Sequence, residues 1–353
     1  MNTTKTTTAP EFMVDVAGLR KQFKVRPESF TAKPKVVHAV SDISFKLEPG
    51  VTLGIVCESG CGKSTVARLL MGLIEADDGD VRIAGLRLSQ QPDALKAMWR
   101  KVQMVFQDSY ASLNPRMSIE ASIMFGPVVQ GVPRDAARRT AHDLLARVGL
   151  EPARFAGRYP HEVSGGQRQR VNIARALALR PEVVIFDEAV SALDKSVEIQ
   201  VLNLLQDLKT EFGLTYLFIS HDLNVVQYIS DQVLVMYLGK VVEIGPVQDV
   251  YDHPAHPYTR ALLASMPSMD PRNRTRVPPI VGDPPSPIDP PSGCRFRTRC
   301  QHAAALCADS EPMLDAAGGA SSAAHRAACH MLSAAPGSWQ PLASAAPLSG
   351  ATA

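Results

Sequence analysis

The sequence predicts an α/β protein, with a sheet covered by helices on both faces. Three observations carry that expectation. An apolar run, Thr52 to Val56, leads through Gly60-Cys61-Gly62-Lys63-Ser64 into a segment with helical periodicity. A second apolar run, Val183-Val184-Ile185-Phe186, ends in Asp187-Glu188. Further short apolar runs, Leu214 to Ile219 and Val233 to Met236, alternate with helical patterns, as strands and helices do in an α/β sheet.

Each element follows from local chemistry. Val14-Asp15-Val16 and Ile43-Ser44-Phe45-Lys46-Leu47 alternate apolar and polar residues, the mark of half-buried strands. Glu48-Pro49-Gly50 is a turn, and Thr52 to Val56 is a fully buried strand. After Lys63, the residues Val66, Leu69, Leu70 and Leu73 recur at i, i+3, i+4 and i+7, which gives a helix one apolar face. Asp77-Asp78-Gly79 closes that unit, and Val81 to Ile83 begins another strand. Between about 110 and 180 strand signals fade and helical patterns such as Ala136 to Val148 take over, so an inserted helical subdomain is expected there.

The chain has 353 residues, 45% of them hydrophobic and 20% charged. That composition suits a globular core of about 250 residues with a smaller tail. A net charge of +2 argues against non-specific nucleic-acid binding. No apolar run approaches the roughly 18 residues that span a bilayer, and the start, Met1-Asn2-Thr3-Thr4-Lys5, has no apolar secretion segment. A cytoplasmic location is expected, at a membrane only where a partner holds the chain. Residues 1–12 are polar and Thr-rich, and residues 332–353 are rich in Ala, Ser and Pro; both are expected to be disordered. Residues 278–291 hold seven prolines, a stiff connector.

The glycine-rich segment is built for phosphate. Gly60 and Gly62 tolerate positive φ and bring no Cβ near an anion, so consecutive N–H groups at a helix start can face it. Lys63 is expected to reach the β- and γ-phosphates of a nucleotide, and the Ser64 hydroxyl to ligate Mg²⁺, with Glu58, Ser59, Cys61 and Thr65 completing the loop. Asp187 is expected to hold Mg²⁺ and Glu188 to act as general base on the attacking water. Ser164-Gly165-Gly166-Gln167 opens another helix, whose apolar face is Val171, Ala174, Leu177 and Ala178. Ser164 is a good cap there, and the exposed N–H groups make an anion site.

In content and order these motifs resemble ATP-binding-cassette (ABC) ATPases over residues 13–265. The resemblance implies a RecA-like core sheet with an antiparallel β part and the helical insertion. It implies that Gln107 senses the γ-phosphate and Mg²⁺, that His221 contacts the γ-phosphate, and that the turn Ser191-Ala192-Leu193-Asp194 crosses to the other subunit. Ser164 to Gln167 would then meet nucleotide bound on the opposite subunit, so that ATP closes a dimer and hydrolysis releases it. An early aromatic stacks on adenine in such proteins; Phe23 is the candidate, with Phe30 second. The family has Gly or another small residue where Cys57 stands. Either the thiol is simply tolerated at negative φ, or Cys57 and Cys61 are redox-sensitive.

Beyond the cassette, Ile244-Gly245-Pro246, His256-Pro257-Tyr258-Thr259-Arg260-Ala261-Leu262-Leu263, the proline-rich stretch and Cys294-x-Phe296-x-x-x-Cys300 are similar to oligopeptide and dipeptide importer ATPases. Gln107 to Pro115 is similar to the second of their two ATPase paralogues, with Ser109 where Pro is usual. The similarity makes residues 266–331 an importer-type C-terminal extension. It implies a peripheral subunit on the cytoplasmic face of the inner membrane, paired with its paralogue or with itself. Its partners would be two permeases and, indirectly, a periplasmic solute-binding protein, with no nucleic acid. Residues 107–117 would line the groove that receives a permease helix. Relatives importing nickel, glutathione or other small solutes leave the solute open, with peptide first.

Cys294, Cys300, Cys307 and Cys329 are spaced C-x5-C-x6-C-x21-C. A cytoplasmic ATPase needs no disulfides, so clustered thiols suggest a metal site. The resemblance implies a [4Fe–4S] cluster, with Zn²⁺ as the alternative and four reduced thiols as the plain reading. Two other classes compete. A soluble ABC ATPase of DNA repair or translation usually carries two cassettes or a coiled coil, and this sequence has one phosphate loop and no heptad run. A metal-responsive regulator would be built around the cysteine tail.

Overall fold

A computed structural model describes residues 11–25, 35–266, 282–317 and 324–333. Phe30, nearly all of both expected disordered ends and residues 278–281 of the proline-rich stretch lie outside these. The described chain groups into two compact units. Of the described residues, one holds 11–21, 41–56 and 63–232; the other holds 22–25, 35–40, 57–62, 233–266, 282–317 and 324–333.

The first unit carries two sheets. β1 (Val14–Val25), β2 (Lys35–Leu47), β4 (Asp78–Ile83) and β5 (Leu86–Arg87) make a sheet in the order β2-β1-β4-β5, with β4 antiparallel to β1 and β5 and Val14 opposite Ile83. The outer ends of β1 and β2 group with the second unit. The second sheet is parallel. It runs β3 (Thr52–Val56), β8 (Thr215–Ser220), β7 (Val183–Asp187) and β6 (Val102–Val105), with Leu53 paired to Leu217, Val183 to Thr215 and Val102 to Val183.

These strands read as unbroken apolar runs because they are covered on both faces. Every residue of β3, β7 and β8 is buried. Phe186 packs edge-on against Tyr216, ring centroids 5.0 Å apart. The Tyr216 hydroxyl donates to Leu205 O at 3.0 Å, satisfying the one polar atom that side chain brings into the core.

Helices α1 (Lys63–Leu70) and α2 (Pro92–Lys101) connect the early strands. Between β6 and β7 the described chain is helical: α3 (Ile119–Val129), α4 (Arg134–Arg147), α5 (Pro152–Phe155), a 3-10 turn at Pro160–Glu162 and α6 (Gly165–Leu177). α7 (Lys195–Phe212) and α8 (Leu223–Ile229) follow β7 and β8. α7 ends at Gly213, whose φ of 64° supplies the left-handed cap. One expectation needs correction. Leu73 does not extend the apolar face after Lys63: α1 stops at Leu70, Gly72 turns the chain at φ 65°, and Leu73 is left 48% exposed.

In the second unit the strand order is β11 (Asp315–Ala316), β12 (Arg326–Ala327), β10 (Lys240–Pro246), β9 (Gln232–Tyr237). β9 and β10 are joined through Leu238 and Gly239, both at positive φ, as a tight hairpin with matching twist requires. Helices α9 (Val247–Asp252), α10 (Pro257–Ala264), α11 (Leu306–Asp309) and α12 (His330–Ser333) complete the unit. Glu243 on β10 is fully buried. It accepts from the backbone N–H groups of Ala255 and His256, at 2.7 and 2.9 Å, and from His325 Nε2 at 2.7 Å. Three donors on one carboxylate are what permit its burial.

Candidate functional site

The glycine-rich loop links β3 to α1. Gly60 and Gly62 adopt φ of 81° and 111°, conformations that residues with a Cβ rarely reach. A Cβ on Gly62 would also collide with the carbonyl oxygen of Ala39. Ser59 and Gly60 are exposed at the loop tip, whereas Lys63 is buried. Burial pulls the Lys63 ammonium below its ordinary value, and the Glu188 and Asp187 carboxylates oppose that shift.

Cys57 and Cys61 overturn one expectation. They are joined in a disulfide across the loop, with Cα atoms 6.4 Å apart. Cys57 is absent from the residues at positive φ, consistent with an ordinary backbone at the strand exit. The tight turn brings the two side chains, four residues apart, face to face within bonding reach.

The three adjacent strands β6, β7 and β8 bring their carboxyl ends together. Ser64 Oγ donates to Asp187 Oδ1 at 3.0 Å. Gln107 Nε2 donates to Glu188 Oε2 at 3.0 Å, and His221 Nδ1 lies 3.3 Å from the same oxygen. Asp187 is buried, and burial pushes its carboxyl above the ordinary carboxylate range. The neighbouring Glu188 charge adds to this, and the Ser64 hydrogen bond opposes it. Glu188 adopts φ of 49°, a strained value for a side-chain-bearing residue, held by its N–H donating to Ile219 O at 2.9 Å. The positive φ turns Glu188 away from the strand line and onto Gln107 and His221. No motif in the sequence signals this turn. For Mg²⁺ the donor chemistry fits. A hydroxyl and a carboxylate share one spot, both are hard oxygen donors, and a cation would relieve the raised Asp187.

Ser164 caps α6 reciprocally. Its Oγ accepts from Gln167 N at 3.3 Å, and Gln167 Oε1 accepts from Ser164 N at 3.0 Å. Val171 and Ala174 are wholly buried along the helix, as their spacing requires. Ser164 is exposed, as are Ser191, Ala192 and Asp194 in the turn after β7. Ser191 Oγ donates to Glu188 O at 2.8 Å, so that turn starts from the backbone of the acidic pair.

Phe23 lies on β1, 39% exposed. The four tail cysteines are unbonded to each other and line one pocket together with His256, His302 and His330. Burial pushes Cys294 up to about 12 and Cys300 up to about 11. The thiols suit a soft metal or a cluster by type. Among the described residues, however, no group of three or more His, Cys, Asp or Glu is arranged to hold a metal ion, so the cluster expectation gains no support from geometry. Nor is any helix among those residues long and apolar enough to cross a membrane. Sequence reasoning missed Arg299, which pairs with Glu58 in the phosphate loop.

This fold and these motifs define an ABC-type ATPase. A family profile described as ABC transporter matches residues 40–191, and one described as Oligopeptide/dipeptide transporter, C-terminal region, matches residues 242–307. The oligopeptide transport ATP-binding protein AppF of Bacillus subtilis is 46% identical over 329 residues, covering 92% of this chain and 98% of AppF. OppF of Escherichia coli, an oligopeptide transport ATP-binding protein, is 48% identical over 312 residues, 86% of this chain and 92% of OppF. The chain belongs to the family of ABC transporter ATP-binding proteins for oligopeptides and dipeptides. Among solved structures, a dimeric ATP-binding cassette in a post-hydrolysis state with ADP and Pi aligns with TM-score 0.59 and 28% identity, over 67% of this chain and 99% of that one.

Proposed function

We propose that this chain is the ATP-hydrolysing subunit that energises a membrane importer of oligopeptides or dipeptides, through ATP-driven closure of a two-ATPase dimer. The observation carrying the reading is the convergence of Gln107, Glu188 and His221 at the ends of three adjacent strands, next to the Ser64–Asp187 pair. Glu188 takes a proton from the attacking water. Gln107 and His221 orient Glu188 and the terminal phosphate, and Lys63 and the loop N–H groups, with Glu58 to Thr65, hold the phosphate chain. Ser64, Asp187 and Gln107 would hold Mg²⁺, which would supply charge neutralisation to the phosphates. The helix start at Ser164 to Gln167, exposed at Ser164, and the turn at Ser191 to Asp194 face the nucleotide of a second ATPase, and Phe23 takes the adenine.

Residues 13–265 form the cassette, residues 266–331 the extension, and residues 107–117 the seat for a permease helix at the cytoplasmic membrane face. Tyr110, exposed in that stretch, suits an apolar partner. Reconstitution with the neighbouring permeases and binding protein, over a panel of peptides and glutathione, tests the reading. Peptide-stimulated hydrolysis is expected, and hydrolysis indifferent to every peptide would overturn it. For the tail, donor type alone supports a cluster or zinc ion. Iron and zinc analysis of anaerobically purified protein decides this, and protein free of both removes the idea.

A further inference from the structure

We infer that Arg299, from the cysteine-bearing C-terminal segment, is a positioning residue of the phosphate loop. The inference rests on reading residues 57–64 as that loop. Arg299 Nη1 donates to Glu58 Oε2 at 2.7 Å and Nη2 to Glu58 Oε1 at 3.2 Å. This is the two-pronged pairing that only a guanidinium makes with a carboxylate. The pair is shielded: the Arg299 side chain is 6% exposed and that of Glu58 27%. It joins residues 241 positions apart.

The rest of the neighbourhood fixes the same spot. The Tyr258 hydroxyl accepts from Glu58 N at 3.0 Å, so Glu58 is gripped by backbone and side chain together. Arg299 Nη1 also donates to the Tyr237 hydroxyl at 3.4 Å. Tyr237, Tyr258 and Phe296 pack as a trio with ring centroids 4.7 to 5.4 Å apart, which holds both hydroxyls in place. Farther along the loop, Gly239 N donates to Cys61 O at 2.8 Å. Burial works against the Arg299 charge, but Glu58 and Tyr237 more than offset it, so the guanidinium stays firmly protonated.

Two consequences follow for nucleotide. First, the loop is ordered before ATP arrives, so its N–H groups need not be organised during binding. Second, Glu58 is an acidic residue on an anion-binding loop. Unpaired, it would repel the polyphosphate; Arg299 cancels that charge. A residue acting only on tail packing would do neither.

The test is Mg·ATP affinity by titration calorimetry on the full-length chain, with melting temperature recorded alongside. Arg299→Gln is expected to weaken binding by about 10-fold, the equivalent of one charge-assisted hydrogen-bonded pair. Arg299→Lys keeps the charge but loses the fork and is expected to fall between, about 3-fold weaker; it carries the test if the glutamine variant does not fold. Adding Glu58→Gln to Arg299→Gln removes the stranded carboxylate, and affinity is expected to return to within about 3-fold of the parent. Parent-like affinity in both Arg299 variants, or a double variant weaker than Arg299→Gln, would overturn the inference. Lys63→Ala, run in parallel, separates the two readings. If it leaves ATP binding intact, the phosphate-loop reading itself fails; if it abolishes binding while the Arg299 variants bind normally, only the role of Arg299 falls.

Discussion

Glu188 accepts a hydrogen bond from the Gln107 side chain at 3.0 Å, although 81 residues separate them in the chain. The strands explain it. β6 pairs with β7 in parallel, Val105 opposite Phe186, so the residues just beyond both strands emerge at the same sheet edge. His221, beyond β8 on the other side of β7, reaches the same carboxylate oxygen.

That geometry makes Glu188 the group whose loss should separate binding from hydrolysis. Glu188→Gln keeps the acceptor for Gln107 but cannot take a proton. Hydrolysis is expected to fall by about 10²–10⁴-fold with ATP affinity preserved, and an ATP-bound dimer should accumulate. Rapid-quench ATPase assays and gel filtration with ATP and Mg²⁺ check this; a variant hydrolysing at the parent rate sinks the assignment.

Gly62 tests the loop. At φ 111°, and with the Ala39 carbonyl in the way of a Cβ, Gly62→Ala has to distort the segment that precedes Lys63. Loss of ATP binding by at least about 10-fold is expected, alongside a destabilisation of about 1–3 kcal/mol. Nucleotide titration and urea unfolding measure the two effects separately.

The Cys57–Cys61 pair is expected to make the loop redox-responsive. Two thiols give two electrons and two protons to hydrogen peroxide, forming the disulfide and two waters. The bond fixes the separation of Cys57 and Cys61 whether or not nucleotide is bound, so the loop cannot close further on a polyphosphate; peroxide is expected to lower ATPase activity and dithiothreitol to restore it. Cys57→Gly should keep activity through the peroxide treatment. Equal inhibition of parent and variant would show that the sensitive group lies elsewhere.

His256 predicts the pH dependence of stability. It is buried, 1% exposed, and its Nδ1 accepts from Tyr258 N at 3.0 Å at the start of α10. Burial lowers its pKa to about 4, with Glu243 opposing and Arg260 adding to the shift. The unfolded chain, at an ordinary value near 6.5, therefore binds a proton that the folded chain refuses. Stability is full above about pH 6.5 and is lost as pH falls towards 4, by up to about 3 kcal/mol at the low end. Urea unfolding at pH 7 and pH 5 measures the slope, which His256→Asn should flatten while keeping a cap acceptor. An unchanged slope in that variant would mean other groups set the acid limit.

Much of this protein follows from its residues alone. Positive-φ glycines before Lys63, apolar strands ending at Asp187 and Ser220, and the Ser164–Gln167 cap are local requirements, met by residues close together in the chain. Local chemistry leaves a periodic and positional trace, so they can be read in one dimension. Tertiary structure alone decided the rest: the left-handed turn at Glu188 that aims it at Gln107, the bond between Cys57 and Cys61, and the grip of Arg299 on Glu58. Pairing over 241 residues leaves no trace in local pattern, because strand order and packing, rather than sequence distance, set which charges meet. The four tail cysteines show the converse. Their clustering is plain in the sequence, but whether a metal can be held depends on the placement of each sulfur, and among the described residues no group of three or more ligands is arranged for one.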